Sequence, residues 1–266
     1  MSVSRRTMLA GGTVAAGVTA VAATVGRRAL SPHRLPLDGG YAPAGNSLDW
    51  SNRGSIRCFW HVETEAPLVA LTFDDGPMPE WTPQVLDTLG KLDAPATFFL
   101  VGKHLRDHAG VVGPGGYDGH EIGNHTWSHA DLAQLDADGV LRELQAAHDE
   151  IVLRLGREPR LMRPPWGHVG GTTLIAADHF GYDIAMWSQP VPEKQYAGDP
   201  DGFVQRVVAD ARPGSIILAH DVGAKSRLLV VRNLAAIVQG LRAKGLRPVT
   251  LSELLASAHA VRADTS

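Results

Sequence analysis

Two pairs of polar residues in this 266-residue chain have types and spacing that could bind a metal. Asp74 and Asp75 follow the apolar run Leu68–Phe73, and His125 and His129 lie four residues apart. Taken alone, Asp74 and Asp75 fit an acidic turn, although two adjacent carboxylates are hard to solvate directly after a buried strand. Imidazoles at i and i+4 share one face if the segment is helical, as in other two-histidine metal sites. The spacing therefore predicts a metal centre.

Two further polar residues follow apolar runs. Arg163 begins the stretch Arg-Pro-Pro-Trp-Gly, and His220 follows Ile-Ile-Leu-Ala. Taken singly, Arg163 fits a surface arginine on a rigid loop, and His220 fits a hydrogen-bonded core histidine. All four polar groups, however, come at the carboxyl ends of predicted strands, where barrel enzymes build their active sites. Their coincidence favours one active site.

Apolar periodicity over the last two hundred residues predicts strands that alternate with helices. Thr82 is expected to cap the first helix, Gly156 to end a helix over 138–155, and Ser252 to cap the last helix. Such alternation predicts a parallel sheet, and seven strands favour a closed or nearly closed barrel over an open doubly wound sheet. The predicted strands are 68–73, 96–101, 119–123, 161–162, 184–187, 215–219 and 248–251.

The first 30 residues are interpreted as an export signal. Arg5 and Arg6 resemble a twin-arginine motif, and twenty uncharged residues separate Arg6 from Arg27. Ala20-Val21-Ala22 fits a cleavage site, although an uncleaved anchor is the alternative. Residues 31–55 are rich in proline and glycine and are interpreted as a linker, which leaves 56–266 as one catalytic domain.

Charge and cysteine content narrow the possible partners. The net charge is −3, but the first 34 residues carry five arginines and no acid, so the remainder is at −8. A domain this acidic repels phosphate backbones, which argues against nucleic acid as a partner. The single cysteine, Cys58, excludes an intramolecular disulfide. We expect a monomer.

Four motifs together resemble the signature of the polysaccharide deacetylase family, carbohydrate esterase family 4 with its NodB-like domain. They occur in the family's order and spacing, and the resemblance spans roughly residues 68–255. It implies a distorted (β/α) barrel and removal of acetyl groups from a glycan. The motifs are Thr-Phe-Asp-Asp-Gly-Pro at 72–77, His-Thr-Trp-Ser-His at 125–129, Arg-Pro-Pro-Trp-Gly at 163–167 and Ile-Leu-Ala-His-Asp at 217–221.

The resemblance also implies a role for each motif residue. Asp74 would be the general base, Arg163 would orient Asp74, and His220 would be the general acid. One divalent metal, zinc or another, would be the cofactor. Its ligands would be Asp75, His125 and His129.

Substrate contacts are implied in the same way. The backbone N–H of Trp166 would help to hold the oxyanion, and Leu218 would line the pocket for the acetyl methyl group. Pro165 would also contact substrate.

One family motif is degenerate in this chain. Members usually carry an acid after the fifth strand that tethers the catalytic histidine, whereas Trp187 is followed here by Ser-Gln-Pro-Val-Pro-Glu-Lys. Glu193 is the first carboxylate reached, and we predict that it tethers His220. A solvated loop glutamate is the alternative.

The sequence therefore predicts a metal-dependent hydrolase that deacetylates a polysaccharide, of the N-acetylglucosamine type, outside the cytoplasm. The implied partners are an acetylated glycan and the export machinery, and the protein would be secreted or associated with the cell envelope. The alternatives are a catalytically weak carbohydrate-binding relative and an O-acetyl esterase on xylan-type glycans.

Overall fold

The computed structural model describes residues 55–112 and 115–264. The predicted export signal, residues 1–30, and the predicted linker as far as residue 54 lie outside the described residues. Within the described ranges, strands alternate with helices as the apolar pattern predicts. No helix there is long and apolar enough to cross a membrane.

The strands form one parallel sheet in the part of the chain that the structure describes. Its order is β1-β6-β5-β4-β3-β2-β8-β7, and β9 pairs with the start of β2. The strands are β1 (Cys58–Phe59), β2 (Leu68–Asp74), β3 (Thr97–Leu100), β4 (Glu121–Asn124), β5 (Leu161–Met162), β6 (Asp183–Ala185), β7 (Gln189–Pro190), β8 (Ile216–His220) and β9 (Arg247–Val249).

Helices cover the outer face of the sheet, except that the last helix packs Leu251 and Leu254 against residues from inside the curled sheet. The longest helix has the side chain of Asp136 as its N-cap and ends at Gly156, which adopts the left-handed conformation predicted for it. The helices are α1 (Thr82–Lys91), α2 (Gly102–Asp107), α3 (Ala137–Leu155), α4 (Gly171–His179), α5 (Pro200–Asp210), α6 (Leu228–Ala243) and α7 (Leu251–Asp264).

Side chains of β2 alternate between two apolar layers, as the pleat of a strand requires. Leu71 and Phe73 pack outward with residues of the helices, whereas Leu68 and Ala70 pack inside the curled sheet with Phe99. Both faces of β2 are buried, which explains its continuous apolar sequence. Towards the carboxyl end of β2 the inward-facing residues are polar, namely Thr72 and Asp74. Polar side chains therefore lie at the carboxyl-terminal rim of the barrel.

The sheet curls into the distorted barrel that the sequence predicts. β6 pairs with β5, and after only three residues the same chain segment pairs with β8 as β7. On its other side β8 pairs with β2. The sheet therefore runs from β6 round to β7 through hydrogen-bonded neighbours. The short segment between β6 and β7 closes the barrel, without strand pairing at that point among the described residues.

Several local predictions are wrong in detail. β1 and β7 were not predicted: each has only two residues, and β7 is the Gln-Pro pair at 189–190, which carries no strand signal. Thr82 is not the cap of α1; the helix begins at Thr82, whose hydroxyl donates to Asp221 instead. Ser252 lies inside α7 with its hydroxyl on Glu121, while Thr250 accepts from the backbone N–H of residue 253.

One close backbone approach supports the amino-terminal end of the barrel. Gly214 has a φ of +80°, and a Cβ there would lie 1.8 Å from the carbonyl oxygen of Val62. The N–H of Val62 donates to the carbonyl of Gly214 at 3.0 Å. Only glycine fits this junction between the segment after β1 and the start of β8.

We expect Gly214→Ala to lower the free energy of unfolding by about 2–3 kcal/mol, because it combines left-handed strain with a clash against backbone. Urea unfolding measures the change. Gly245→Ala is the matched control, since Gly245 also has a positive φ but a Cβ there meets nothing within 4 Å. Equal losses in the two variants would contradict the proposed clash.

Candidate active site

The strand register brings the polar groups to one rim of the barrel. Asp74 pairs with His220 across β2 and β8, and β4 and β5 end directly before His125 and Arg163. These side chains come from distant parts of the sequence, but the carboxyl ends of parallel strands share one edge. The structure therefore brings together the residues that the sequence assigns to the site.

A buried ion pair forms the floor of the site. Nη1 of Arg163 donates to Oδ1 of Asp74 at 2.7 Å and to the hydroxyl of Thr72 at 2.9 Å. Its Nε and Nη2 donate to the carbonyls of Ala185 and Met186, each at 2.9 Å. Arg163 is therefore fully buried, with at least one acceptor on each guanidinium nitrogen, and is not a surface arginine. Only Oδ1 of Asp74 accepts from Arg163, so its Oδ2 takes no part in the ion pair.

Three potential ligands converge above that ion pair. Oδ1 of Asp75 lies 3.1 Å from Nε2 of His129 and 3.3 Å from Nε2 of His125. Nδ1 of His125 donates to the carbonyl of Arg163 at 2.7 Å, which leaves Nε2 available to a cation. Burial alone would raise the pKa of Asp75, but the two imidazoles facing it hold that pKa well below its usual range. The three groups could hold a metal ion.

His125 and His129 do not lie on a helix. The prediction that their i, i+4 spacing puts them on one helix face is therefore wrong. Residues 125–131 form a loop after β4, and Thr126 and His129 have φ values of +68° and +59°. A tight left-handed loop, not a helical turn, folds His129 back towards His125. Asp75 and Trp166 also have positive φ. Backbone strain of this kind gathers at functional sites.

His220 lies on the same rim with its Nδ1 buried and, among the described residues, without a hydrogen-bond partner. Burial lowers the pKa of His220; the Asp74 carboxylate opposes this effect, and the Arg227 guanidinium adds to it. The predicted hydrogen bond from Glu193 is not formed. Glu193 and His220 line one open cleft of about 630 Å³, and Oε1 of Glu193 is likewise buried without a partner within the described part of the chain.

The residues assigned to substrate contact also border the rim. Trp166 is 58% exposed, and its ring lies 4.4 Å from that of His129, centroid to centroid. Leu218 pairs with Thr72 across β8 and β2 and belongs to neither apolar layer. Pro165 is buried at the start of the short turn Pro165–Gly167, which also contains Trp166.

Two residues of the site have no sequence signal that predicts their contacts there. Nη1 of Arg227 donates to Oδ2 of Asp75 at 2.7 Å. Asp221 is completely buried, and its Oδ2 accepts from the hydroxyl of Thr82 at 2.6 Å. No spacing signals Arg227, which follows β8 by seven residues in a loop. Asp221 belongs to a quoted motif, but its partner lies 139 residues away.

The geometry can be compared with known proteins. The family model for polysaccharide deacetylase matches residues 61–185. A peptidoglycan-N-acetylglucosamine deacetylase of Bacillus cereus is 37% identical over 201 residues, which are 75% of this chain and 93% of that protein. This chain belongs to the polysaccharide deacetylase family.

Other members of the family differ in substrate and in whether they are active. A chitooligosaccharide deacetylase of Sinorhizobium fredii is 38% identical over 166 residues, covering 59% of this chain and 74% of that protein. A solved structure with a TM-score of 0.69 is a variant, with restored enzymatic activity, of a carbohydrate esterase 4 pseudoenzyme from Bacillus anthracis. It is 27% identical and covers 76% of this chain and 72% of its own.

Asp221 makes the stability of this deacetylase-family chain depend on pH. Burial raises its pKa to about 7, and Oδ1 has no partner among the described residues. An unfolded aspartate titrates near 4, so between about pH 4 and 7 the native state binds more protons than the unfolded state. The contribution of Asp221 to the free energy of unfolding therefore falls as pH rises through this window, by at most about 1.4 kcal/mol per pH unit.

We expect Asp221→Asn to remove this contribution, because the amide cannot titrate. The difference in unfolding free energy, variant minus parent, should rise between pH 4.5 and 7, as measured by urea unfolding. The exposed Asp138→Asn is the control for loss of one carboxylate. A difference for Asp221→Asn that does not change with pH would contradict the assignment.

Proposed function

We propose that this protein is a metal-dependent hydrolase that removes acetyl groups from an extracytoplasmic glycan of the N-acetylglucosamine type. One observation carries the proposal: a buried base, a histidine and a three-residue ligand set share a single barrel rim. Family membership supports deacetylation of a polysaccharide. The relatives' described activities on peptidoglycan and chitooligosaccharide favour an amide-linked acetyl group.

The ligand set fits a divalent cation. Oδ1 of Asp75 is buried and has no hydrogen-bond donor among the described residues, so a cation between it and the two Nε2 atoms would satisfy it. Two imidazoles and one carboxylate form a ligand set that zinc accepts, with a coordination position left open. Such an ion, zinc or another, would polarise the acetyl carbonyl and the attacking water.

Asp74 is placed to act as general base. Arg163 occupies its Oδ1, while Oδ2 lies 3.8 Å from Nε2 of His125 and so faces the ligand set. A water on that side would transfer its proton to Oδ2 while its oxygen attacks the acetyl carbon. The fixed guanidinium holds the carboxylate in one orientation for the transfer.

His220 would complete the hydrolysis as general acid. It would donate a proton to the leaving nitrogen as the carbon–nitrogen bond breaks, which releases acetate and an amine. The backbone N–H of Trp166 is proposed to hold the oxyanion, and Leu218 and Pro165 to shape the acetyl pocket. Glu193 as a tether of His220 remains a proposal, supported by the cleft that the two residues share.

A catalytically weak, glycan-binding protein is the second candidate. It is favoured by Nδ1 of His220, which has no hydrogen-bond partner in the described part of the chain, and by the likeness to a family pseudoenzyme. Acetate release from a panel of acetylated glycans separates the candidates, because a binding protein would retain glycan without releasing acetate. Including acetylated xylan in the panel tests the O-acetyl esterase alternative.

We predict that Asp74→Asn and His220→Ala each reduce acetate release about 10²–10⁴-fold, the usual cost of losing a general base or acid. Both variants should keep their bound metal, whereas His129→Ala should lose most of it. Metal content and acetate release are measured on the same preparations. His179→Ala, an exposed histidine on α4, is the control. Near-parental turnover in either of the first two variants would overturn the assigned roles.

Export by the twin-arginine route, with residues 56–266 as the catalytic domain, is part of the proposal. Replacing Arg5 and Arg6 together with lysine should retain the protein in the cytoplasm, since the route reads the arginine pair and not its charge. Cell fractionation followed by immunoblotting measures the distribution. The matched variant replaces Arg27 and Arg28 with lysine and should be exported normally. Normal export of the Arg5 and Arg6 variant would point to another route.

A further inference from the structure

We propose that Arg227 is a positioning residue for Asp75, and this inference rests on the proposed metal site. The carboxylate of Asp75 is divided between two sets of neighbours. Oδ2 accepts from Nη1 of Arg227 at 2.7 Å, while Oδ1 faces Nε2 of His129 and of His125 at 3.1 and 3.3 Å. Arg227 thereby leaves a single oxygen of Asp75 for the cation.

Arg227 is itself held in place. Its Nη1 also donates to the carbonyl of Val222 at 3.0 Å, and Arg227 closes the short turn that precedes α6. Gly223 has a φ of +115°, and a Cβ there would lie 2.6 Å from Nη1. The loop after β8 therefore has the shape needed to admit this guanidinium. A charge-assisted hydrogen bond from a fixed donor restricts carboxylate rotation more than water would.

Two effects of Arg227 on a bound cation have opposite signs. The guanidinium charge repels the cation, whereas the hydrogen bond orients the ligand oxygen. Partners of metal ligands typically contribute 10- to 100-fold to metal affinity, and we take orientation to dominate. Arg227→Met removes both effects. Gly223→Ala keeps the charge but displaces Nη1, so it tests orientation once the positive-φ strain is matched by Gly245→Ala.

The experiment measures Zn²⁺ affinity of the purified full chain by competition with a chromophoric chelator. Arg227→Met should raise the dissociation constant about 10- to 100-fold, Arg227→Lys should recover part of the loss, and Gly223→Ala should weaken binding in the same direction. With Co²⁺ as the probe, Arg227→Met should also change the visible absorption spectrum, because Oδ2 becomes free to coordinate. A smaller folded fraction would lower the absorbance of bound Co²⁺ without shifting its bands, so a band shift reports a changed ligand set.

Two controls separate local effects from general ones. Lys225→Met removes a neighbouring exposed cation, and Gly245→Ala introduces positive-φ strain in open space. Both should bind Zn²⁺ like the parent. Parental or tighter binding by Arg227→Met, with an unchanged Co²⁺ spectrum, would overturn the positioning role alone. If the parent itself failed to bind Zn²⁺, the proposed metal site would be overturned, and the positioning role with it.

Discussion

The site depends on one interaction, the buried ion pair between Arg163 and Asp74. The guanidinium holds this pair in place. The guanidinium lies inside the barrel, where its Cζ is 4.1 Å from the ring centroid of Phe99 and 5.8 Å from that of Trp187. Its hydrogen bonds join Asp74 at the end of β2 to the carbonyl of Ala185 at the end of β6. Removing a charge from water is costly, and the cost is offset here only because its donors have partners. Losing any one partner would leave a buried donor or charge unsatisfied. The arrangement is therefore rigid, and it fixes the position of Asp74.

Adjacent carboxylates acquire different chemistry because each has its own arginine and its own backbone conformation. Asp74 is the last residue of β2 and points into the barrel towards Arg163. Asp75 leaves the strand with a φ of +78°, its carbonyl accepts from Nδ1 of His104 at 2.6 Å, and its carboxylate meets Arg227. Two like charges on neighbouring residues are thus held apart and separately neutralised.

The sequence predicts the barrel and the rim because both follow from local patterns. A largely apolar run such as 68–73 predicts a strand buried on both faces, and polar residues that follow such runs must meet at one sheet edge. The left-handed loop at His129 could not be predicted, since its φ values arise from tertiary packing and no glycine or proline marks them. Arg227 escaped prediction for a related reason: its contact with Asp75 spans 152 residues and has no motif.

The degenerate motif after the fifth strand changes how the proposed acid is controlled. His220 has no carboxylate on its Nδ1 among the described residues, and both burial and Arg227 lower its pKa. The charge of Asp74 is the largest influence that favours the imidazolium. When Asp74 accepts a proton from water, it loses the negative charge that raises the pKa of His220. The pKa of His220 then falls, and the imidazolium becomes a stronger acid. In the proposed mechanism the base step therefore prepares the acid step, and the two residues are coupled through their charges across β2 and β8.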